Sequence, residues 1–235
     1  MALTQAAERA ALNKLIDYLD ENPEEHLDSI MALIDRLVPA SVFPAQRAAF
    51  SHVIKDRSNW YDLIMKVFDL NPEMRSRLLK TLIVDGNILA WPEQEKARER
   101  YECNIPWAIL LDPTSACNLR CTGCWAAEYG HALNLSYEDI DSIVRQGKEL
   151  GCRIYIYTGG EPLVRKGDLI RICEAHPDCA FLCFTNATLI DEAFCDEMIR
   201  VANFVPAISA EGNEATTDAR RGEGTYAKIE HAMDL

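Results

Sequence analysis

Three thiols stand close together in the segment DPTSACNLRCTGCWA: Cys117, Cys121 and Cys124, with no further cysteine until Cys152. Thiolates grouped this tightly hold metal. A structural zinc ion wants four ligands in a closed tetrahedron, usually two pairs from two knuckles, and only one triplet is present. An iron–sulfur cubane held by three cysteines instead leaves one iron with an open position, where a small molecule can bind. The absence of a fourth thiol is then the functional feature, and the triplet points to a cluster of that kind. Cys103 and Cys152 each precede a strand pattern, so both belong nearer the opposite end of a sheet from the triplet. Cys173, Cys179, Cys183 and Cys195 fall on helix or strand patterns and read as packing residues.

The elements that must position the triplet change character near residue 100. Before it the pattern is helical. PEEHLDSIMALIDRLV places Leu27, Ile30, Met31, Ile34 and Leu37 or Val38 on one face, and NWYDLIMKVF and PEMRSRLLKTLI behave similarly. Asn22-Pro23-Glu24 and Asn71-Pro72-Glu73 read as helix starts, with Asn as N-cap and Pro in the first turn. From Ile105 onward strands and helices alternate. The strand patterns are WAILLD, RIYIYT, AFLCFT and FVPAIS. The helix patterns are SYEDIDSIVRQGKELG with a Ser136/Asp139 capping box, KGDLIRICEAH, IDEAFCDEMIRVA and TYAKIEHAMDL. This succession predicts an α/β fold with a parallel sheet and right-handed crossovers. The domains expected are a helical region over 1–103 and an α/β core over 104–235. Reacting groups gather at the C-terminal ends of strands in such sheets, and the cysteines, GGEP, TNA and SAEG all stand there.

Charge narrows the partners. A formal net charge of −13 repels phosphate backbones and anionic lipid surfaces, which disfavours nucleic acid and membrane. No apolar run spans a bilayer, and the first twenty residues carry charges where a signal peptide needs an apolar stretch, so a cytoplasmic location is expected. Nine cysteines in that reducing compartment are metal ligands or small buried hydrophobes rather than disulfide partners.

Cys117-x-x-x-Cys121-x-x-Cys124 resembles the signature of the radical S-adenosylmethionine (radical SAM) superfamily, and stands where that family has it, in the loop after the first barrel strand. The resemblance runs over roughly residues 104 to 235. It implies a partial (β/α) barrel, a [4Fe-4S] cluster on the three cysteines, and S-adenosylmethionine (SAM) at the open iron. GGEP, comprising Gly159, Gly160, Glu161 and Pro162, resembles the family segment whose backbone and Glu meet the SAM amino group. The two glycines also let the backbone approach a ligand closely. Ser209 and Glu211 in SAEG match polar positions that commonly reach the SAM ribose or carboxylate, and Asn186 sits where related enzymes have a TNG turn. Many members carry an aromatic residue just before the third cysteine. Here that position is Gly123, carried over as part of the SAM-binding loop, and the aromatic is Trp125, so adenine packing would be reorganised.

The resemblance further implies an enzyme that cleaves SAM reductively and starts radical chemistry on a peptide or protein, a lipid or a small metabolite, fed by an external electron donor of flavodoxin or ferredoxin type. It assigns no catalytic residue toward substrate. The alternative is a non-catalytic iron–sulfur or zinc-binding sensor or scaffold on the same fold, which would have no use for Glu161, Ser209 and Glu211. A core of this type usually runs to about six β-α units and four are counted, so a C-terminally truncated fragment is expected.

Overall fold

The computed structural model describes residues 5–37 and 43–235. The chain forms two compact units, Met1–Lys80 and Thr81–Leu235.

Among the described residues the first unit contains the α-helices α1 (Gln5–Glu21), α2 (Pro23–Leu37), α3 (Pro44–Asp56), α4 (Asn59–Lys66) and α5 (Pro72–Leu79), with a 3-10 turn over Val67–Asp69. Leu19, Leu27, Ile30, Ile54 and Tyr61 are its core, with Met31 and Ile34 packed against them. Val38 and the side chain of Leu37 lie outside the described residues. Asn71 caps α5 as its sequence implies, its Oδ1 accepting from the Glu73 and Met74 N–H groups at 3.1 Å each. The buried Arg75 is fully engaged, donating to both Asp20 oxygens at 2.5 and 3.0 Å and to the Phe68 and Leu70 carbonyls.

The second unit starts earlier than the expected boundary at 103. A π-helical stretch over Lys80–Leu89 leads into α6 (Ala90–Tyr101), and both pack with the sheet. Gly86 lies against Ile154, where an added Cβ would sit 3.2 Å from its side chain. Gln94 donates to the Gly151 carbonyl at 2.9 Å, and Arg153 pairs with Glu93 at 3.0 Å. Residues 81–101 therefore share a unit with the sheet because tertiary contacts, invisible to local patterning, hold them there.

The rest alternates as expected apart from one added helix, α10: β1 (Ala108–Thr114), α7 (Tyr137–Glu149), β2 (Ile154–Gly159), α8 (Lys166–Ala175), β3 (Ala180–Thr185), α9 (Glu192–Val201), β4 (Phe204–Ile208), α10 (Glu214–Arg221) and α11 (Thr225–Asp234). The sheet is wholly parallel in the order β1-β2-β3-β4, which with its helical crossovers is an α/β partial barrel. The Ser136/Asp139 capping box opens α7. On one sheet face Leu111, Tyr155, Tyr157, Phe181, Cys183 and Phe204 are buried with Ile140, Val144, Leu169, Ile172, Phe194 and Met198. On the other, Leu110 and Phe184 are 59% and 47% exposed, beside the half-buried Ile156, Leu182, Val205 and Ala207. This face carries apolar side chains because it is the concave, inward side of the barrel wall. No helix among the described residues is long and apolar enough to cross a membrane.

Candidate functional site

The cysteine loop leaves β1 at Thr114 and is closed at its base. The Thr114 hydroxyl donates to Asn134 Oδ1 at 2.6 Å and accepts the Ala116 N–H at 3.0 Å. The Ser115 N–H donates to the Leu133 carbonyl at 2.8 Å, while Ser115 Oγ accepts the Leu133 N–H at 3.1 Å. Within the loop the Cys124 N–H reaches the Cys121 carbonyl at 3.2 Å, and the Leu119 N–H points at Cys117 Sγ at 3.4 Å.

Two other strand ends and helix α10 grip this loop. From β2, the Gly160 N–H donates to the Thr114 carbonyl at 3.0 Å and the Glu161 N–H to the Ala116 carbonyl at 2.8 Å. From β3, Asn186 Nδ2 donates to Asn118 Oδ1 at 2.9 Å, and Asn118 Nδ2 donates to Thr188 Oγ1 at 2.7 Å. Thr188 closes the ring by donating its own N–H and hydroxyl to Asn186 Oδ1. After β4, the Thr122 N–H donates to the Arg220 carbonyl at 2.8 Å. The expected residues thus come together at one edge, gathered by the parallel topology.

The two glycines of GGEP have a reason that the sequence did not reveal. A Cβ on Gly160 would lie 2.2 Å from the Ala116 carbonyl oxygen, and one on Gly159, at φ 106°, would lie 2.7 Å from the Thr114 oxygen. What approaches so closely is the cysteine loop's own backbone, so the pair is needed whether or not a ligand is bound. Pro162 is buried at the start of a 3-10 turn over Pro162–Arg165.

Glu161 is 1% exposed. Its Oε1 accepts the Leu163 N–H at 3.0 Å and the Thr185 hydroxyl at 2.7 Å; its Oε2 accepts the Asn186 N–H at 2.7 Å. Burial pushes its carboxyl up from the ordinary range, and these hydrogen bonds and the Arg221 charge oppose that rise. The carboxylate ties the end of β2 to the end of β3, beside a turn in which Ala187 holds φ 62°, the left-handed conformation a TNG glycine would take more cheaply.

Glu211 differs. Its Oε1 accepts from Arg220 Nη1 at 2.8 Å and from Arg221 Nη2 at 2.7 Å and Nε at 3.1 Å. Hydrogen bonds from Arg221, then Arg220, hold its carboxyl below the ordinary range. Ser209 donates its backbone N–H to the Thr185 carbonyl at 2.9 Å, and its hydroxyl has no partner among the described residues. Gly123, at φ 70°, has open space where a Cβ would be.

The three candidate ligands, Cys117, Cys121 and Cys124, are half-buried free thiols. Burial raises the Cys117 thiol first, the Leu119 N–H opposes this, and the charges of Glu161, Cys121 and Cys124 raise it further. Yet no three His, Cys, Asp or Glu side chains among the described residues meet in a single-ion geometry. Sulfurs around one tetrahedral zinc stand about 3.8 Å apart, given Zn–S bonds of about 2.3 Å. A cubane would ask less of the three thiols, since each would bind a different iron.

Thr114, Asn118 and Thr185 were not anticipated as site residues, although each is a polar residue at a strand end or next to a ligand cysteine. Helix α10 was also missed, because AEGNEATTDARRGEG has no apolar period to announce it.

Residues 111–235 match the family model described as the radical SAM superfamily. A GTP 3',8-cyclase of Geobacter sulfurreducens is 40% identical over 95 residues, 37% of this chain and 29% of that protein. An uncharacterized protein of Archaeoglobus fulgidus is 30% identical over 144 residues, 60% of this chain and 34% of that one. Among solved structures, native anSMEcpe with bound AdoMet and Cp18Cys peptide aligns at 24% identity and a TM-score of 0.47, covering 54% of this chain and 38% of that one. Streptococcus suis SuiB bound to S-adenosylmethionine aligns at 17% identity and a TM-score of 0.48, covering 76% and 41%. The chain spans about a third of the length of these curated relatives.

Proposed function

Because this chain belongs to the radical SAM superfamily, with a [4Fe-4S] cluster and SAM as its cofactors, we propose that Cys117, Cys121 and Cys124 hold the cluster and that the site starts radical chemistry on an organic substrate. When bound, the cluster would supply the electron for reductive cleavage of the SAM sulfonium. The observation that carries this reading is the loop itself: three half-buried free thiols at Cys-x-x-x-Cys-x-x-Cys spacing after the first strand, braced by groups from two other strand ends and from α10.

The residues divide into holders and contacts. Gly159, Gly160, Glu161 and Asn186 brace the cysteine loop through close approaches and hydrogen bonds, and Pro162 is buried at the start of the turn that follows. Ser209, with a free hydroxyl, and Gly123, with open space, are left to face SAM, while Glu211 presents Arg220 and Arg221 toward it. The inner face of the sheet is apolar but open, with Leu110 and Phe184 largely exposed, so it would shield a reacting carbon from water only once covered. Electrons come from an external donor of flavodoxin or ferredoxin type, and the cytosol suits nine free thiols.

Anaerobic reconstitution with iron and sulfide tests the reading. Chemical analysis and electron paramagnetic resonance of the reduced protein should show one cubane, lost in each of Cys117→Ala, Cys121→Ala and Cys124→Ala and retained in Cys103→Ala, with a spectrum that changes when SAM is added. Stoichiometric zinc without an iron–sulfur signal would overturn it in favour of a metal-binding scaffold.

A further inference from the structure

Strand β1 does not run evenly into the cysteine loop. Leu111 pairs with Tyr157 and Thr114 with Gly159, so Asp112 and Pro113 together stand opposite the single residue Thr158. This is a β-bulge, and Pro113, which has no N–H to give a ladder, is a natural place for one. Bulges re-aim side chains. Leu111 is buried among the helices, and Asp112 is exposed on the opposite, inward face.

Asp112 is anomalous there. The same face carries Leu110, Ile156, Leu182, Phe184, Val205 and Ala207, an apolar surface into which a carboxylate has been set. Gly159 makes room for it: a Cβ on Gly159 would fall 2.8 Å from the Asp112 Cβ and 3.0 Å from its Cγ. No described residue hydrogen-bonds or pairs with the carboxylate. Arg165, which reaches the end of β1, is engaged by Asp168 at 2.5 Å and by the Pro113 and Leu135 carbonyls. Partial burial, with nothing to compensate it, raises the Asp112 carboxyl from its ordinary value. The capping aspartates Asp139 and Asp191, by contrast, have their charge met by neighbouring donors.

A carboxylate without a partner, aimed by a bulge over a glycine into an apolar wall beside the proposed radical site, is built to receive a positive group. We propose that Asp112 positions the substrate by binding a protonated amine or guanidinium on it, so that the substrate class is cationic. This rests on the radical SAM reading for the identity of the site, while the presence of a cation-binding carboxylate does not.

The test uses n-butylammonium, n-butylguanidinium, n-butanol and n-butyrate as probes on the reconstituted protein, with and without SAM, read by saturation-transfer NMR on the probe. Saturable binding of the two cations is expected, about tenfold weaker in Asp112→Asn and Asp112→Ala, with the n-butanol signal unchanged. Asp112→Lys should lose the cations and take up n-butyrate. Circular dichroism melting checks that each variant is folded, and three differently charged variants keep the comparison usable if one is not. Equal cation binding by wild-type and Asp112→Asn protein would overturn the proposal. So would a tenfold loss of SAM affinity in Asp112→Asn, which would assign the carboxylate to the ammonium or sulfonium of SAM. Asp112-dependent cation binding in protein that takes up no cluster would keep the inference and remove only the radical SAM reading of the site.

Discussion

Glu161 and Glu211 each lie just past the end of a parallel strand, β2 and β4, at the same edge of the sheet, and their surroundings move them in opposite directions. Glu161 is buried and met by two backbone N–H groups and a hydroxyl from two chain segments. Glu211 is held by two arginine side chains of the following helix. Burial wins at the first and raises its carboxyl; ion-paired hydrogen bonds win at the second and lower it. The loop after β2 is thus part of the framework and the loop after β4 is a clip laid over it, although both motifs read alike as ligand contacts. Perturbing each in turn should give effects that differ in size and in pH dependence.

The largest effect belongs to Gly160. An alanine Cβ there would meet the Ala116 carbonyl carbon and oxygen and the Ser115 oxygen at 2.2 to 2.6 Å, all backbone atoms that cannot swing aside. Gly160→Ala should cost more than about 4 kcal/mol or prevent folding of the sheet unit. The control is Gly167→Ala in α8, where an added Cβ meets nothing, and which should be neutral or gain up to about 1 kcal/mol. Urea denaturation of both decides it. Near-wild-type stability for Gly160→Ala would mean that the grip of β2 on the cysteine loop is loose and the glycines serve a ligand after all.

Glu161→Gln comes next. The amide cannot accept from all three donors, and its NH2 would face either the Asn186 N–H or the Leu163 N–H and Thr185 hydroxyl. One buried donor loses its partner, at a cost of about 1–3 kcal/mol. Because the folded-state carboxyl is raised, its titration contributes stability below the ordinary carboxylate range of about 4.3, and that contribution is lost as pH rises through the raised value. The gap between wild type and Glu161→Gln, measured by denaturation from about pH 4 to about pH 8, should show that sign. A Glu161→Gln protein as stable as wild type, with weakened SAM binding, would return Glu161 to the ligand.

How far the sequence carried these distinctions depended on whether local chemistry or distant packing decided them. The four strands were legible as apolar runs, and α7 as a capping box followed by an amphipathic period. The cysteine triplet, GGEP and SAEG were legible as strand-end clusters because a parallel sheet places all such ends at one edge. The start of the sheet unit at Thr81 was not, since it rests on Gly86 against Ile154 and Gln94 against Gly151. Glu161 was found, but its partners come from Leu163, Thr185 and Asn186, and no local pattern tells a carboxylate reserved for ligand from one taken by the chain. Asp112 was passed over for the reverse reason: its significance lies in a bulge and in the lack of any neighbour, neither of which a one-dimensional pattern records.

The smallest effect should come from Glu211. Its partners Arg220 and Arg221 are its near neighbours along the chain, and the link from α10 to the cysteine loop does not depend on it, because the Thr122 N–H donates to the backbone carbonyl of Arg220. Glu211→Gln should therefore leave stability unchanged at moderate salt, where exposed ion pairs contribute little, and leave hydrogen exchange at the Thr122 amide as slow as in wild type. What pH dependence survives at low salt has the opposite sign to that of Glu161: a lowered carboxyl contributes above the ordinary range, and its contribution is lost as pH falls through the lowered value. Carbon-13 titration of the two side chains should place the Glu161 midpoint above about 4.3 and the Glu211 midpoint below it. A reversed order, or a stability loss in Glu211→Gln matching that of Glu161→Gln, would break the division between framework and clip and make the loop after β4 an equal part of the scaffold.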